Sequence, residues 1–252
     1  MNRTIFIVVV GLSVAQYSYD TIVRGQELSK GVATASEAVK VESKPAPITV
    51  SADVLKNMTA LFDGKSLDGW EYDPKAWSIV EGAMRGTGKG GNIWTKGDYG
   101  SFRLIVTSRV ASPPGDDGHN HLGVLFWGDR PSAGKFGTNN AIQVQPPHGA
   151  MWDYHKGKGN IKVERDPTFK KPRYQDWHVG EILANLETGE IRFANDGVEI
   201  MHYKYPDVSA LKRGPIGMQI HAATGIFDYK DVYVEANPKE NKLLTVKVTH
   251  PE

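Results

Sequence analysis

No cysteine occurs in the 252 residues. That absence excludes a disulfide framework, a thiolate nucleophile and lipid attachment through a cysteine. Neither sign of charge is in excess: 30 Lys and Arg face 29 Asp and Glu, a formal net charge of +1. The chain therefore lacks the basic footprint of a nucleic-acid or anionic-membrane binder. Long apolar runs are scarce as well. Ile5 to Val14 (IFIVVVGLSV) follows Arg3 and precedes the small residues Ser13-Val14-Ala15, and it falls short of the roughly 18–20 residues that span a bilayer. Residues 1–15 thus read as an export signal, placing the mature chain in the periplasm, at the cell surface or outside, with no membrane span. Glycine-rich phosphate loops, dinucleotide fingerprints and serine-nucleophile motifs are missing too. Internal repeats are absent, and almost nothing carries a helical period.

What is present is a period of two. Residues 16–58 are rich in Ser, Ala, Val, Lys and Glu, with Pro45 and Pro47, the composition of a flexible spacer. Only Ala52 to Ala60 looks helical. Beyond it, Phe102, Leu104 and Val106 alternate with Arg103, Ile105 and Thr107, so one set is expected to face a core and the other to face outward. Residues 121–127, 141–145, 160–164 and 177–184 are further strand-like runs. Asn195-Asp196-Gly197 supplies the φ > 0 positions of a tight hairpin turn. Two more strands fall within 214–236, joined at Ala223-Thr224-Gly225, and 237–252 is expected to be a tail or an edge strand. Many strands, frequent Gly and Pro and little helix predict an all-β sandwich over residues 59–236. A core of that size also suits an exported chain that has no disulfides.

The order of the pieces is informative. LFDGKSLDGW (61–70) is followed by Trp77 and the EGAM turn at 81–84, then by GVLFW, IQVQ, GAMWD, DWH, an NDG hairpin and a closing GPIGMQIH with YKDVYV. From about Thr59 to Glu235 this series resembles the 3-keto-disaccharide hydrolase domain, also described as a 3-keto-glucoside 1,2-lyase and 3-keto-2-hydroxyglucal hydratase domain. The resemblance implies a concanavalin A-like jelly roll, exported and acting on oxidised glucosides. It departs from the family pattern at several polar positions: His121-Leu122-Gly123 replaces Asn-Ser-Gly, Gln143 stands where the family carries Glu, His178 follows Trp177 in place of Asn, and Tyr229-Lys230-Asp231-Val232 replaces Phe-Arg-Asn-Ile. The opening run itself reads as architecture, with Trp70 and Trp77 turned into the core and Asp63-Gly64 and Asp68-Gly69 shaping turns.

Candidate site residues follow from alternation and chemistry. Gln143 and Gln145 share one strand face, and Gln219 and His221 share another. Side-chain amides and imidazoles suit sugar hydroxyls, which both donate and accept; the competing reading is a solvated outer face. Trp152, Asp153, His148 and His155 lie in a glycine-rich segment that reads as a substrate loop. Cleavage of a 3-keto-glucoside needs a base for the acidified C2 proton, a group to hold the enolate oxygen and an acid for the leaving group. Bases are available at Asp153, Glu164, His148, His155, His178 and His221, and Lys162 or a divalent metal could hold the enolate. Asp153, His155 and His221 are the expected catalytic residues. Gln143, Gln145, Trp152, His148, His178 and Gln219 are the expected substrate contacts. His119 and His121 have a spacing that can hold a metal, and Asp116 and Asp117 could equally form a Ca²⁺ loop.

A glucanase motif is absent, since Glu164-Arg165-Asp166 runs into Pro167. Three functions remain open from the sequence. The first is a carbohydrate-active lyase or hydrolase. The second is a non-catalytic carbohydrate-binding module, and the third is a surface adhesion domain. Which sugar, which metal and which oligomeric state are not legible.

Overall fold

A computed structural model of the protein describes residues 49–246, apart from 90, 113–120, 133, 166–168 and 223. The expected export signal, most of the spacer, His119, Asp116 and Asp117 lie outside the described residues. In chain order the elements are helix α1 (Ala52–Leu55) and strands β1 (Thr59–Ala60), β2 (Trp70–Glu71), β3 (Trp77–Val80), β4 (Ala83–Thr87), β5 (Ile93–Thr95), β6 (Phe102–Val110) and β7 (Val124–Phe126). There follow β8 (Ile142–Gln145), β9 (Ala150–Asp153), β10 (Gly159–Ile161), β11 (His178–Asn185), β12 (Glu190–Asn195), β13 (Val198–Lys204), β14 (Gly217–Met218) and β15 (Ile226–Ala236).

These strands form two antiparallel sheets. One has eight strands, ordered β13-β12-β11-β6-β15-β4-β3 with β1 on β15; the other has seven, ordered β10-β9-β8-β7-β14-β5-β2. Alternation decides what lies between them. Phe102, Leu104 and Val106 of β6 join Val124, Phe126, Ile142, Val144, Ile93 and Met218 of the opposite sheet in one buried cluster. Trp70 and Trp77 belong to that cluster, and their indole N–H groups donate to Leu61 O at 2.9 Å and Gly91 O at 3.0 Å. Both tryptophans are therefore core plugs, as their alternation predicts. Asp63 Oδ1 accepts from the backbone N–H of Lys65 and of Ser66, both at 2.8 Å, closing the turn before β2.

Two expectations need correction. The helix over 52–60 is only α1; Thr59 and Ala60 pair with Val234 and Tyr233 instead. The 121–127 and 160–164 runs shorten to β7 and β10, because His121 and Val163 turn aside into loops. The two strands expected within 214–236 are β14 and β15, and they enter different sheets. Residues 237–246 form no strand; they lie over the outer face of the eight-stranded sheet, with Leu243 packed on Leu183 and Ala194. No helix among the described residues is long and apolar enough to cross a membrane.

Candidate functional site

The outer face of the seven-stranded sheet carries the site. Registered pairs align Trp152, Gln143, Leu125, Gly217, Trp94 and Glu71 across six strands. At a strand spacing of about 4.8 Å this row is roughly 24 Å long. One part is apolar: Trp94, Leu125 and Ala141 pack together with Phe136 and Tyr154. Trp94 lies across Gly217, where a Cβ would fall 2.8 Å from its ring. Its buried Nε1 has no hydrogen-bond partner among the described residues.

The other part is a continuous polar chain. Gln143 Nε2 donates to Gln219 Oε1, and Gln145 Nε2 donates to Gln143 Oε1 at 2.9 Å. Gln145 Nε2 also lies 3.4 Å from His121 Nε2. Gly123 is what lets the amides meet. A Cβ there would stand 2.4 Å from Gln219 Oε1 and 2.6 Å from Gln143 Nε2. The strand ends are held from beneath by Tyr229, whose hydroxyl crosses from the eight-stranded sheet. It donates to Gln219 O at 2.8 Å and accepts from Gly123 N at 3.3 Å. Burial raises the Tyr229 pKa well above the usual phenol range, so the hydroxyl keeps its proton.

The chain ends in imidazoles. The His121 and His221 rings meet at a 40° tilt with centroids 3.6 Å apart, and His148 sits 6.1 Å from His121. His121 Nδ1 is 3.2 Å from Leu122 O, which can only accept. That contact assigns the proton of the neutral ring to Nδ1 and leaves the Nε2 lone pair toward Gln145. His148 Nδ1 is 3.0 Å from the Tyr174 hydroxyl. Burial, reinforced by the charge on His121, Arg165 and Lys171, pushes the His148 pKa down to about 3, so this ring is neutral in ordinary buffers. Gln143 is 0% exposed and both its amide atoms are engaged, so its part is to orient its neighbours. The partly exposed His121, His148 and His221, with Trp152 at 37% exposure, are what a ligand reaches. Among the described residues no three His, Asp or Glu side chains converge as a metal-binding set.

A model of the 3-keto-alpha-glucoside-1,2-lyase-like domain matches residues 57–235. The chain belongs to this family. No curated protein matches it. Among solved structures, a "putative glycosyl hydrolase" from Parabacteroides distasonis ATCC 8503 aligns with a TM-score of 0.55 at 15% identity, covering 76% of this chain and 99% of its own. A second such protein from that organism reaches 0.51 at 17% identity, covering 71% and 98%. The carbohydrate-binding module CBM66 from Bacillus subtilis reaches 0.50 at 12% identity, covering 67% and 96%. At these identities the likeness establishes the jelly-roll sandwich, and family membership makes the function carbohydrate-related.

Within this member of the lyase-like family, the expected site residues divide. Gln143, Gln145, Gln219, His148, His221 and Trp152 gather on one sheet face, and His121 joins them. Asp153 and His155 form a separate pair. Asp153 is registered with Ile142, on the inward side of the sheet. Its Oδ1 accepts from His155 N at 2.8 Å and faces His155 Nδ1 at 2.9 Å, and its Oδ2 accepts from the Tyr205 hydroxyl at 2.7 Å. His155 Nε2 faces Trp127 O at 3.2 Å. Every polar atom of the pair is thus occupied by the protein itself. His178 lies in the eight-stranded sheet, between Asp196 Oδ2 at 2.6 Å and Arg173 O at 2.7 Å.

Tyr154, Tyr174, Trp94, Gly123 and Tyr229 are the contributors that strand patterning does not disclose. Tyr154, which lies beside Gln219, had a signal in its position directly after the Trp152-Asp153 pair. Tyr174 had none, since it comes from a loop without periodicity.

Proposed function

We propose that the protein is an exported enzyme that cleaves 3-keto-glucosides on the outer face of the seven-stranded sheet. The carrying observation is His121, with Nδ1 against the Leu122 carbonyl and Nε2 directed along the amide row. A contact of 3.4 Å is at the long limit of a hydrogen bond, so Nε2 can release the Gln145 amide at small cost and accept a proton. The C3 ketone acidifies the C2 proton, which Nε2 removes. The electron pair becomes an enolate, whose oxygen the Tyr154 hydroxyl or a released Gln145 N–H can hold. Re-forming the ketone expels the C1 oxygen substituent, which takes up a proton from the adjacent His121–His221 pair, leaving a C1–C2 double bond. Water then adds across that bond, OH to C1 and H to C2, for a net hydrolysis. Trp152 and Tyr154, with centroids 6.2 Å apart, offer ring faces to the sugar.

A second reading, a non-catalytic carbohydrate-binding module, draws on the lack of a carboxylate among the described residues of this amide–imidazole chain. Release of aglycone from a 3-keto-glucoside, with and without chelator, separates the two. The enzyme reading expects turnover that His121→Ala and His221→Ala each reduce by at least about a hundredfold, the scale of lost general-base catalysis. Glycan binding without turnover by the native chain favours the module.

A further inference from the structure

A second ligand site lies on the other sheet. A cavity of about 400 Å³ opens between the β12–β13 hairpin and residues 169–172. Its lining combines the apolar Phe169, Pro172, Val198 and Ile200 with the charged Lys170 and Asp196. Val198 is 56% exposed, an apolar side chain facing solvent beside the opening. Asn195 also lines the cavity, and it is only 6% exposed.

The orientation of that amide is determined. Asn195 Nδ2 donates to Asp196 Oδ2 at 2.9 Å, whereas turning the amide over would set its oxygen against a carboxylate. Oδ1 is therefore the free end, and it is buried with no hydrogen-bond partner. Asp196 does not compete for a ligand, since its carboxylate already accepts from Val179 N at 2.9 Å and faces His178 Nδ1 at 2.6 Å. A buried acceptor left unpaired is costly, and natural structures avoid it. Four apolar side chains beside one such acceptor, with Lys170 and Asp196 at the same cavity, suit a ring that presents both C–H surface and a hydroxyl donor.

We propose that this cavity binds a small hydroxylated ring, with the hydroxyl donating to Asn195 Oδ1 and the ring lying against Phe169, Pro172 and Val198. Two sources share that chemistry: a sugar, or a phenolic group of the kind a glucoside carries as aglycone. The site is independent of the His121 chemistry, because its residues belong to the eight-stranded sheet and the loop over it.

The isotope-labelled full chain, titrated separately with methyl α-glucopyranoside and with phenol, tests this by the amide resonances of residues 195–200. Saturable shifts are expected with at least one probe in the millimolar range, about −4 kcal/mol of binding free energy. Shifts with the glucoside alone assign a sugar, and shifts with phenol alone an aglycone-type ring. Asn195→Ala and the surface change Val198→Trp, which fills the opening, should each weaken binding at least about tenfold, while His121→Ala leaves it unchanged. No saturable shift with either probe, or native-like binding by Val198→Trp, overturns the proposal. A His121→Ala chain that loses turnover but keeps these shifts separates this site from the reading above.

Discussion

The outer faces of the two sheets both bury polar side chains, and they do so in opposite ways. On the eight-stranded sheet the buried groups are charges. Arg103 is 2% and Glu181 0% exposed, with Nε to Oε1 at 3.0 Å. Arg103 also pairs with Glu235 and donates to Glu240 O and Lys242 O. Glu181 accepts from Leu244 N, Thr245 N and Thr245 Oγ1 at 2.7–2.8 Å. Asp228 is likewise clamped between Arg85 and Arg109. Each of these buried charges is paired within the protein. On the seven-stranded sheet the buried groups are neutral amides, each donor and acceptor at once, and their chain runs out into partly exposed imidazoles. Saturated charge fastens the segment 240–245 to the sandwich. The amide chain instead brings partly exposed imidazoles to the surface, where a ligand can reach them.

Breaking the first face should have the largest effect. Glu181→Ala leaves Arg103 with one carboxylate and strips three hydrogen bonds from residues 244–245. Loss of one partner from a buried ion pair costs about 3–5 kcal/mol. Urea unfolding should show that loss in its midpoint, and limited proteolysis should show early release of the C-terminal segment. Carbohydrate turnover or binding per folded molecule should be unchanged. A loss of activity in excess of the loss of folded protein would mean that the two faces are coupled.

Gly123→Ala breaks the second face instead. The added methyl must push Gln143 and Gln219 apart, an overpacking cost of about 1–3 kcal/mol. Its main effect should be functional. Displacing the amide row by even 1 Å carries His121 with it, on the order of a hundredfold in rate. Thermal unfolding and steady-state kinetics on the same sample check both halves, and an intact rate would dissociate the amide row from the chemistry.

Much of this contrast was legible from alternation. The β6 pattern assigned Phe102, Leu104 and Val106 inward and Arg103 outward, and the Asn195-Asp196-Gly197 turn was readable from its residues alone. Gln143 and Gln145 could be put on one face because a strand has a period of two. The same rule was available for Asp153, which shares the inward side with the apolar Met151, yet loop composition outweighed it in the expectation of a catalytic role. What alternation cannot convey is cross-strand closure. The gap at Gly123, the Tyr229 hydroxyl and the Leu122 carbonyl that selects the His121 tautomer each depend on residues distant in the chain or on loop backbone geometry. His178 shows the complementary failure. Its residue type suggested sugar contact, but the sheet into which β11 inserts assigns it to a hairpin.

Two histidines sharpen the comparison through pH, because they titrate in opposite senses. His148, beside the amide chain, has a folded-state pKa of about 3 against 6.5 for the free side chain. The unfolded chain therefore binds the proton first, and stability falls as pH drops below 6.5, by at most about 1.4 kcal/mol per unit. His148→Asn should flatten that slope between pH 6.5 and 5 in denaturation midpoints, and a slope that persists would place the acid sensitivity elsewhere.

His178 gives the smallest effect. Burial works against its charged form, but the acceptors Asp196 and Arg173 O outweigh it and raise the pKa above 6.5. The folded chain then holds the proton more tightly. Its stabilisation is complete below 6.5 and is lost as pH rises through the higher folded value. Because burial offsets part of what the acceptors contribute, this loss should be smaller than the His148 slope. His178→Asn should lower stability more at pH 6 than at pH 8.5, with binding to the seven-stranded face unaltered at both. An equal loss at the two pH values would show that His178 serves the hairpin through packing alone, and that only charge pairs such as Arg103 and Glu181 stabilise the eight-stranded sheet electrostatically.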